Sequence, residues 1–179
     1  MATYGNKFEI SRIVNQIMHS NTFVISCGKE AYLVDVGDIM SVLDVEFNIK
    51  GVFITHGHHD HLYGINELMY YFPNCKIYTM KTGLEALRSG RRNLSFHGGD
   101  EIVEYHGSNI QILHKGNSIE LFSGVELKVY ETCYLFTGDS YRTVFFVRLW
   151  LNEKRNSLRW PLQTASSTVQ PRLNEKTDG

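Results

Sequence analysis

The chain has 179 residues, of which 42% are hydrophobic and 21% are charged, and its formal net charge is −1. This is the composition of one globular domain with a substantial core, and a charge near zero favours neither a nucleic-acid partner nor an anionic membrane. No apolar run approaches the ~20 residues of a membrane helix, and the N-terminus lacks the apolar core and cleavage site of a secretion signal.

The three cysteines, Cys27, Cys75 and Cys133, are widely spaced, odd in number and form no CxxC pair. A disulfide framework is therefore not expected, and the pattern fits a reducing compartment. Together with the absence of an export signal, it predicts a cytoplasmic protein.

The first predicted elements are strands. Residues 22–26 and 31–36 are apolar runs on either side of a turn-prone CGKE segment, which predicts a hairpin. Residues 39–49 have helical character, and the short apolar run 51–55 is typical of a buried strand.

A helix is predicted after the histidine-rich segment that follows residue 55. Ile65, Leu68, Met69 and Phe72 are spaced i, i+3, i+4 and i+7, which places them on one helical face. Pro73 should end this helix, because proline lacks the amide donor and clashes with the preceding turn.

The second half begins with a strand at 76–80 and a short helix at 84–90 that ends on a glycine. Residues 110–137 alternate apolar runs with glycine turns, as a β-rich region does. Strands, then helices between strands, then strands again predict a layered α/β protein with mixed sheets.

A change in character follows Tyr141. The segment contains one strand-like run, 143–151, and then polar sequence without periodicity. We therefore predict a domain over residues 1–151 and a flexible polar tail over residues 152–179. The strand at 143–151 should either complete a sheet or pair with another molecule through its open edge.

Four of the eight histidines lie in the segment THGHHDH, residues 55–61. Written as H-x-H-x-D-H, the cluster contains His56, His58, Asp60 and His61, between a predicted strand and a predicted helix. Residues i and i+2 of an extended segment point the same way, so His56 and His58 can hold one ion together. Where the chain turns into the helix, Asp60 and His61 can face a second ion.

Imidazole and carboxylate are the usual ligands of catalytic zinc, and two ions ~3.5–4 Å apart can activate water between them. A solvated polar loop is the alternative interpretation, but histidines packed between two apolar elements repel one another when protonated. His59 occupies an x position and should point away from the metals.

The segment ITHGHHDHLYGINEL resembles the signature of the metallo-β-lactamase superfamily. The resemblance extends to residues 21–38, which are similar to the family's opening hairpin, and to YLFTGDS at 134–140. It covers about residues 6–141. The resemblance implies an αββα sandwich with the metals at one edge of the sheets. One interpretation of this chain is that the C-terminal half of that sandwich is incomplete.

The resemblance also implies roles for residues. His56 and His58 would hold the first metal, Asp60 and His61 the second, and Asp139 would bridge the two. A metal-bound hydroxide would attack an ester, thioester, lactone or phosphodiester of a small-molecule substrate, with Asp60 as the catalytic general base. Zinc is expected, as one or two ions, and iron and manganese are the alternatives.

Asp35 ends the hairpin in an Asp-x-Gly. It would hold the metal-binding loop by hydrogen bonds, or else it is a simple turn residue.

The chain departs from the family pattern at two further histidine ligands. Glu131–Cys133 joins two predicted strands where the family has a histidine-containing turn, and no histidine follows His114. His97, His106, His114 and Cys133 are the available substitutes, although a surface or core position is the simpler expectation for each.

Other functions compete with a hydrolase. A degenerate or truncated family member would keep the fold and some metal binding but little or no activity. A di-iron redox protein of related fold would be expected to carry glutamate where His58 stands. Arg88, Arg91 and Arg92 hint at nucleic acid, but such a cluster is usually a solvated face, so nucleic acid is not an expected partner.

Overall fold

The computed structural model of the chain describes residues 8–44, 46–97, 101–134 and 142–151, and for residues 97, 131–134 and 142–151 it describes the backbone only. Six strands form a first sheet, in which the spatial order is the chain order. They are β1 (Glu9–Val14), β2 (Asn21–Cys27), β3 (Glu30–Val34), β4 (Asn48–Phe53), β5 (Lys76–Thr79) and β6 (Ile110–Ile112).

The first sheet is mixed. β1, β2 and β3 are antiparallel neighbours, whereas β3 through β6 run parallel to one another. The parallel strands are connected through three helices, α1 (Met40–Leu43), α2 (Ile65–Tyr71) and α3 (Lys81–Leu87). Because the strands advance across the sheet in one direction, right-handed crossovers place all three helices on the same face.

The helix-covered face carries one hydrophobic core. Val42 of α1, Leu68 of α2 and Leu87 of α3 are buried together with Leu33 and Val52 of the sheet. Side chains alternate between faces along a strand, so Val34, which follows Leu33, and Phe53, which follows Val52, point to the opposite face.

The opposite face packs against a second sheet. This sheet contains β7 (Ser118–Phe122), β8 (Val125–Tyr134) and β9 (Arg142–Leu151), all antiparallel. Val34 and Phe53 of the first sheet share a core with Phe122 and Leu127 of the second. The layers are therefore helices, sheet and sheet, with β9 completing the second sheet at its edge.

Several predicted elements are confirmed with revised bounds. The β2–β3 hairpin, α2 with its end before Pro73, and the strands at 76–79 and 142–151 lie where the patterns place them. α3 begins at Lys81 and ends at Leu87, so it does not extend to Gly90.

The helix expected over 39–49 was wrong beyond Leu43. Asn48 and Ile49 belong to β4 and pair with Glu30 and Ala31 of β3, because pairing with a neighbouring strand outweighs a weak local helical preference. β1 was not predicted at all. All but one of its residues are exposed. Because neither face of this strand is buried, its sequence does not show the alternation of apolar and polar residues that predicts a strand.

Two further expectations concern the rest of the chain. Among the described residues, helices cover the first sheet only, and the second helical layer of the expected sandwich is not among them. The tail predicted at 152–179 lies outside the described ranges. No helix in those ranges is long and apolar enough to span a membrane.

Candidate metal centre

Residues 55–61, called the metal loop below, leave the carboxyl end of β4. β3 ends at the same edge, since Val34 lies opposite Phe53 in the register of the parallel pair. The amide of Asp35 donates to the carbonyl of Phe53 at 2.8 Å, so the segment after β3 stays beside the metal loop. Parallel strands thus bring Asp35 to the metal loop from 20 residues away.

Three imidazole rings converge in the metal loop. The His56 ring lies 4.7 Å from that of His58 and 4.1 Å from that of His61, centroid to centroid. The carboxylate of Asp60 lies 3.2 Å from His61 Nε2. The four residues of the H-x-H-x-D-H spacing therefore lie together, while the His59 ring lies against Tyr63 at 5.8 Å.

A buried hydrogen-bond network supports these rings from behind. Asp35 is fully buried and has a left-handed backbone, with φ of 57°. Its carboxylate accepts from the amide of Thr55 at 2.7 Å and from the Thr55 hydroxyl at 2.7 and 2.9 Å. It also lies 2.8 Å from His61 Nδ1, and the Thr55 hydroxyl lies 2.9 Å from His56 Nδ1.

This network leaves particular ring nitrogens for a metal. With Nδ1 of His56 and of His61 engaged by Thr55 and Asp35, the Nε2 atoms are the ring nitrogens that could bind a metal. His61 Nε2 lies 3.2 Å from the carboxylate of Asp60, which is itself a candidate ligand. Ligand atoms of Asp35, His56 and His61 lie within 4.8 Å of one another. Because the Asp35 oxygens already face three donors, the Thr55 amide, the Thr55 hydroxyl and His61 Nδ1, we assign Asp35 to orienting His61, as carboxylates behind metal-bound histidines do. Asp35 thus occupies a turn and also holds the loop.

The same contacts shift the pKa values of the ring nitrogens. Burial, followed by the nearby His61, lowers the pKa of His56 to about 4. Burial also disfavours charge on His61, but the Asp35 charge and the hydrogen bonds that His61 donates to Asp35 and Asp60 outweigh it and raise its pKa to about 10. Burial would raise the pKa of Asp60, yet its hydrogen bond to His61 and the neighbouring rings lower it.

Three backbone contacts fix the course of the metal loop. The Ser20 hydroxyl donates to the carbonyl of Asp60 at 2.5 Å, and the amide of Val36 donates to the carbonyl of His61 at 3.0 Å. On the other side, the amide of His59 donates to the carbonyl of Asn93 at 2.8 Å. The loop is therefore held by segments before β2, after β3 and after α3.

Sequence reasoning missed three of these positions. Thr55 could have been found, because it is a polar residue that closes an apolar strand directly before the histidines. Ser20 and Asn93 carry no signal in the sequence, since each is more than 30 residues from the atom that it contacts. Only the fold brings them to the loop.

Two glycines make room for this packing. A Cβ on Gly64 would lie 2.1 Å from the carbonyl oxygen of Gly37, and a Cβ on Gly57 would lie 2.3 Å from the Cβ of Ala86. Gly64 precedes α2, so its missing side chain lets that helix begin against the turn after Asp35. Gly57 lets α3 pack directly beneath the metal loop.

The remaining predicted ligands divide into two groups. His106 and His114 are exposed and are not part of the Asp35, His56 and His61 group; His106 lies 3.5 Å from a Glu104 oxygen. Asp139 and the side chains of His97 and Cys133 lie outside the described ranges. A bridging role for Asp139 therefore stays a prediction.

The sequence matches known proteins over most of its length. Residues 17–151 match the family model described as the metallo-beta-lactamase superfamily. The hydroxyacylglutathione hydrolase of Tolumonas auensis is 37% identical over 60 residues, which are 31% of this chain and 23% of that protein. The atrochrysone carboxyl ACP thioesterase of Aspergillus chevalieri is 25% identical over 135 residues, covering 70% of this chain and 41% of that protein.

Solved structures agree on the fold. The BLEG-1 B3 metallo-beta-lactamase superposes with a TM-score of 0.64 at 17% identity, over 80% of this chain and 67% of that one. At this identity the likeness concerns the fold alone. The chain spans less than half the length of the curated relatives described above.

Proposed function

Because the chain belongs to the metallo-beta-lactamase superfamily, we propose that it is a metal-dependent hydrolase whose substrates are small-molecule thioesters. The observation that carries the proposal is the convergence of His56, His58, Asp60 and His61 in front of the Asp35–Thr55 network. Such a set of imidazoles and carboxylates, with hydrogen bonds behind it, is typical of catalytic metal sites.

The donor set fits zinc. His56 and His61 offer Nε2 atoms, their Nδ1 atoms being engaged, and the Asp60 carboxylate lies beside His61. One or two ions would be held by His56, His58, Asp60 and His61. Iron and manganese accept similar ligands, so metal analysis of the purified protein decides among them.

The residues of the loop have separable roles in hydrolysis. A bound metal supplies Lewis acidity, which activates water and polarises a carbonyl. Asp60 stays ionised at neutral pH, because His61 lowers its pKa, and can therefore accept a proton as general base. Thr55 and Asp35 keep the rings of His56 and His61 in one orientation, which reduces the reorganisation needed during turnover.

The choice of thioesters rests on the relatives. A hydroxyacylglutathione hydrolase and a carboxyl ACP thioesterase are among the proteins to which this chain is similar in sequence. Esters, lactones and phosphodiesters are the competing substrate classes. We favour thioesters because two differently named relatives share that bond, although the matched regions are only parts of those proteins.

A substrate panel tests the proposal. Zinc-loaded protein would be assayed with acyl thioesters of N-acetylcysteamine, a lactone and bis(p-nitrophenyl) phosphate. We expect chelator-sensitive thioester turnover, with metal bound in the wild type and lost in the His56→Ala/His58→Ala variant. Turnover of the phosphodiester alone, or metal content unchanged by the double substitution, would contradict the proposal.

A second candidate is a member of the family that binds metal without turnover. One observation favours it: Glu131–Cys133 lies within β8, where the family resemblance implies a histidine-containing turn. The same panel separates the candidates. Stoichiometric metal that depends on His56 and His58, combined with no turnover of any substrate class, would select this second candidate.

A cytoplasmic location is part of the proposal. It is supported by the two described cysteines, Cys27 and Cys75, which are both free thiols. Free thiols persist in reducing compartments. Cell fractionation of the expressed protein tests this, and recovery in an extracytoplasmic fraction would contradict it.

A further inference from the structure

The loop between β1 and β2, residues 15–20, reaches the metal loop through its last residue. The hydroxyl of Ser20, a buried residue, donates to the carbonyl of Asp60 at 2.5 Å. Asp60 carries the carboxylate that is proposed above as a metal ligand and general base, and it lies 40 positions further along the chain. Whatever orients the Ser20 hydroxyl therefore affects where Asp60 is held.

A strained turn brings Ser20 to this position. The amide of Ser20 donates to the carbonyl of Ile17 at 3.2 Å, and Met18 and His19 between them have φ of 55° and 51°. Two central residues with positive φ are typical of a type I′ turn, in which asparagine and glycine are preferred. Methionine and histidine adopt this backbone at a cost in free energy, and it persists where surrounding contacts impose it.

Asn15 supplies contacts on the inside of the loop. Its backbone amide donates to the carbonyl of Ser20 at 2.8 Å, and its side-chain Nδ2 donates to the Ser20 hydroxyl oxygen at 3.0 Å. The Asn15 side chain is buried, and a Cβ on Gly37 would lie 2.2 Å from Asn15 Cγ. Gly37 therefore makes room for the Asn15 side chain against the turn after β3.

Two backbone amides set the direction of the hydrogen bonds around Asn15. The amide of Asp38 donates to Asn15 Oδ1 at 3.1 Å. The amide of Gly37 donates to the Thr22 hydroxyl at 3.0 Å, and that hydroxyl donates to the same Oδ1 at 3.2 Å. Because a backbone N–H can only donate, the side-chain oxygen of Asn15 must face these groups, and its NH₂ group must face Ser20.

The same reasoning fixes the direction of the Ser20 hydroxyl. Its oxygen accepts from Asn15 Nδ2, and an amide NH₂ group has no capacity to accept in return. The hydroxyl proton is therefore directed to the carbonyl of Asp60. A chain of hydrogen bonds with one direction thus runs from the turn after β3 to the metal loop, and the bonds of such a chain strengthen one another.

We propose that Asn15 is a positioning residue, which acts through Ser20 to hold Asp60 where it can bind a metal and accept a proton. The inference rests on the proposed function, because both roles of Asp60 are assigned there. The turn after β3 then supports the metal loop at two points. One is the carboxylate of Asp35, and the other is the pair of amides at residues 37–38, which act by way of Asn15.

Cobalt titration of the full metal-free chain tests this without requiring turnover, because the visible absorption of cobalt depends on the geometry of its ligands. Ser20→Ala should change the wild-type absorption bands and weaken cobalt binding about tenfold, as the loss of a partner of a ligand does. Ser20→Thr retains the hydroxyl, so it should keep the wild-type bands and bind cobalt within about threefold of the wild type.

A cycle of two substitutions tests whether Asn15 acts through Ser20. Asn15→Ala alone should weaken cobalt binding about tenfold. In a chain that already carries Ser20→Ala, the same substitution should weaken binding by less than about twofold, because the contact through which it acts is absent. Its effect on stability should persist in both backgrounds, since the contacts of Asn15 with Thr22 and Asp38 are lost in each. Urea unfolding measures this effect.

Asn109→Ala is the matched control, because it also removes a side-chain amide that bonds to other segments. Asn109 donates to the carbonyl of Cys75 and accepts from the Tyr105 hydroxyl. Cys75 and Asn109 directly precede β5 and β6, so they lie at the amino ends of these parallel strands, at the opposite edge of the sheet from the metal loop. The variant should be less stable than the wild type but keep its cobalt bands and affinity.

Several outcomes would overturn the inference. These are wild-type bands and affinity in Ser20→Ala or Asn15→Ala, additive losses in the double variant, a Ser20→Thr variant no better than Ser20→Ala, equal changes in Asn109→Ala, or a wild type that binds no cobalt. If the cobalt bands depend on Asn15 and Ser20 but thioesters are not hydrolysed, the proposed function fails while the positioning role stands. Thioester hydrolysis together with wild-type cobalt binding in Asn15→Ala would have the reverse meaning.

Discussion

Thr55 connects the buried carboxylate to the ligand rings, because its single hydroxyl contacts both Asp35 oxygens and His56 Nδ1. Replacing it with valine keeps the shape but removes these contacts. Losing such a partner of a ligand typically weakens metal affinity about 10–100-fold, and the unsatisfied buried groups should destabilise the fold by about 1–3 kcal/mol. Zinc titration against a competing chelator and urea unfolding measure the two effects for Thr55→Val.

The matched control is Thr55→Ser, which retains the hydroxyl. It should keep the metal affinity within about threefold of the wild type and lose only the methyl contribution to stability. Equal losses of affinity in the serine and valine variants would show that the hydroxyl does not orient His56.

The opposite pKa shifts of two ligand histidines predict how the stability of the metal-free protein depends on pH. The pKa of His61 is raised to about 10, so its stabilising contribution is complete below pH ~6.5 and is lost as the pH rises through about 10. The pKa of His56 is lowered to about 4, so stability also falls as the pH drops from ~6.5 towards about 4.

Urea unfolding of the metal-free protein should be measured from about pH 4 to about pH 10, a range that spans the two shifted pKa values. The free energy of unfolding should be largest near pH ~6.5. The His61→Gln variant should lose most of the decline on the alkaline side. A wild-type stability that rises steadily from neutral to alkaline pH would contradict the protonated state of His61.

At the scale of elements, the start of α2 can lie against the turn after β3 because Gly64 has no side chain. A Cβ on Gly64 would lie 2.1 Å from the carbonyl oxygen of Gly37, which is backbone and cannot swing away. Gly64→Ala should therefore separate α2 from the Asp35 turn and cost about 3 kcal/mol of stability. Metal affinity should fall with it, because Asp35 moves relative to His61.

Gly28→Ala is the control for Gly64→Ala. Gly28 has a φ of 60° and nothing within 4 Å of its added Cβ, so the substitution should cost only about 1–2 kcal/mol through backbone strain. Metal affinity should be unchanged. If the two substitutions were equally destabilising and both left metal affinity intact, the contact between Gly64 and Gly37 would not support the site.

At the scale of the whole molecule, the outer strands offer surfaces for association. Within the described ranges, β1 pairs with β2 only, and β9 pairs with β8 only. On β1, Ile10 and Val14 point to the same face and are 40% and 50% exposed. An apolar strand with an open edge favours pairing with another chain, so we expect dimerisation through β1.

Sedimentation at increasing protein concentration tests this expectation. The wild type should show concentration-dependent dimers, and Ile10→Lys/Val14→Lys should be monomeric, since charge on an edge strand opposes pairing. Met40→Lys adds one lysine, half the charge added in the double variant, at a 59% exposed residue of α1 and should leave the association unchanged. A wild type that stays monomeric at all concentrations would exclude an interface at β1.

The sequence by itself determined the features that depend on neighbours along the chain. The helix that begins at Ile65 and the turn between β2 and β3 follow from local geometry, and the structure has them as predicted. The i, i+2 spacing brings the rings of His56 and His58 to 4.7 Å from each other, and their joint binding of one ion stays a prediction. The family resemblance has the same origin, because its signature is contained in one short segment, and the match over residues 17–151 confirms it.

Only the tertiary structure decided which distant residues support the metal loop. Asp35 reaches His61 across 26 positions and Ser20 reaches Asp60 across 40. No periodicity in the sequence indicates such contacts, because they arise when parallel strands end at one edge of a sheet. The same holds for Ile49, whose place in β4 rather than in a helix depends on pairing with β3. Contacts between segments that are far apart in sequence are set by how strands pair and helices pack, and a local pattern contains neither.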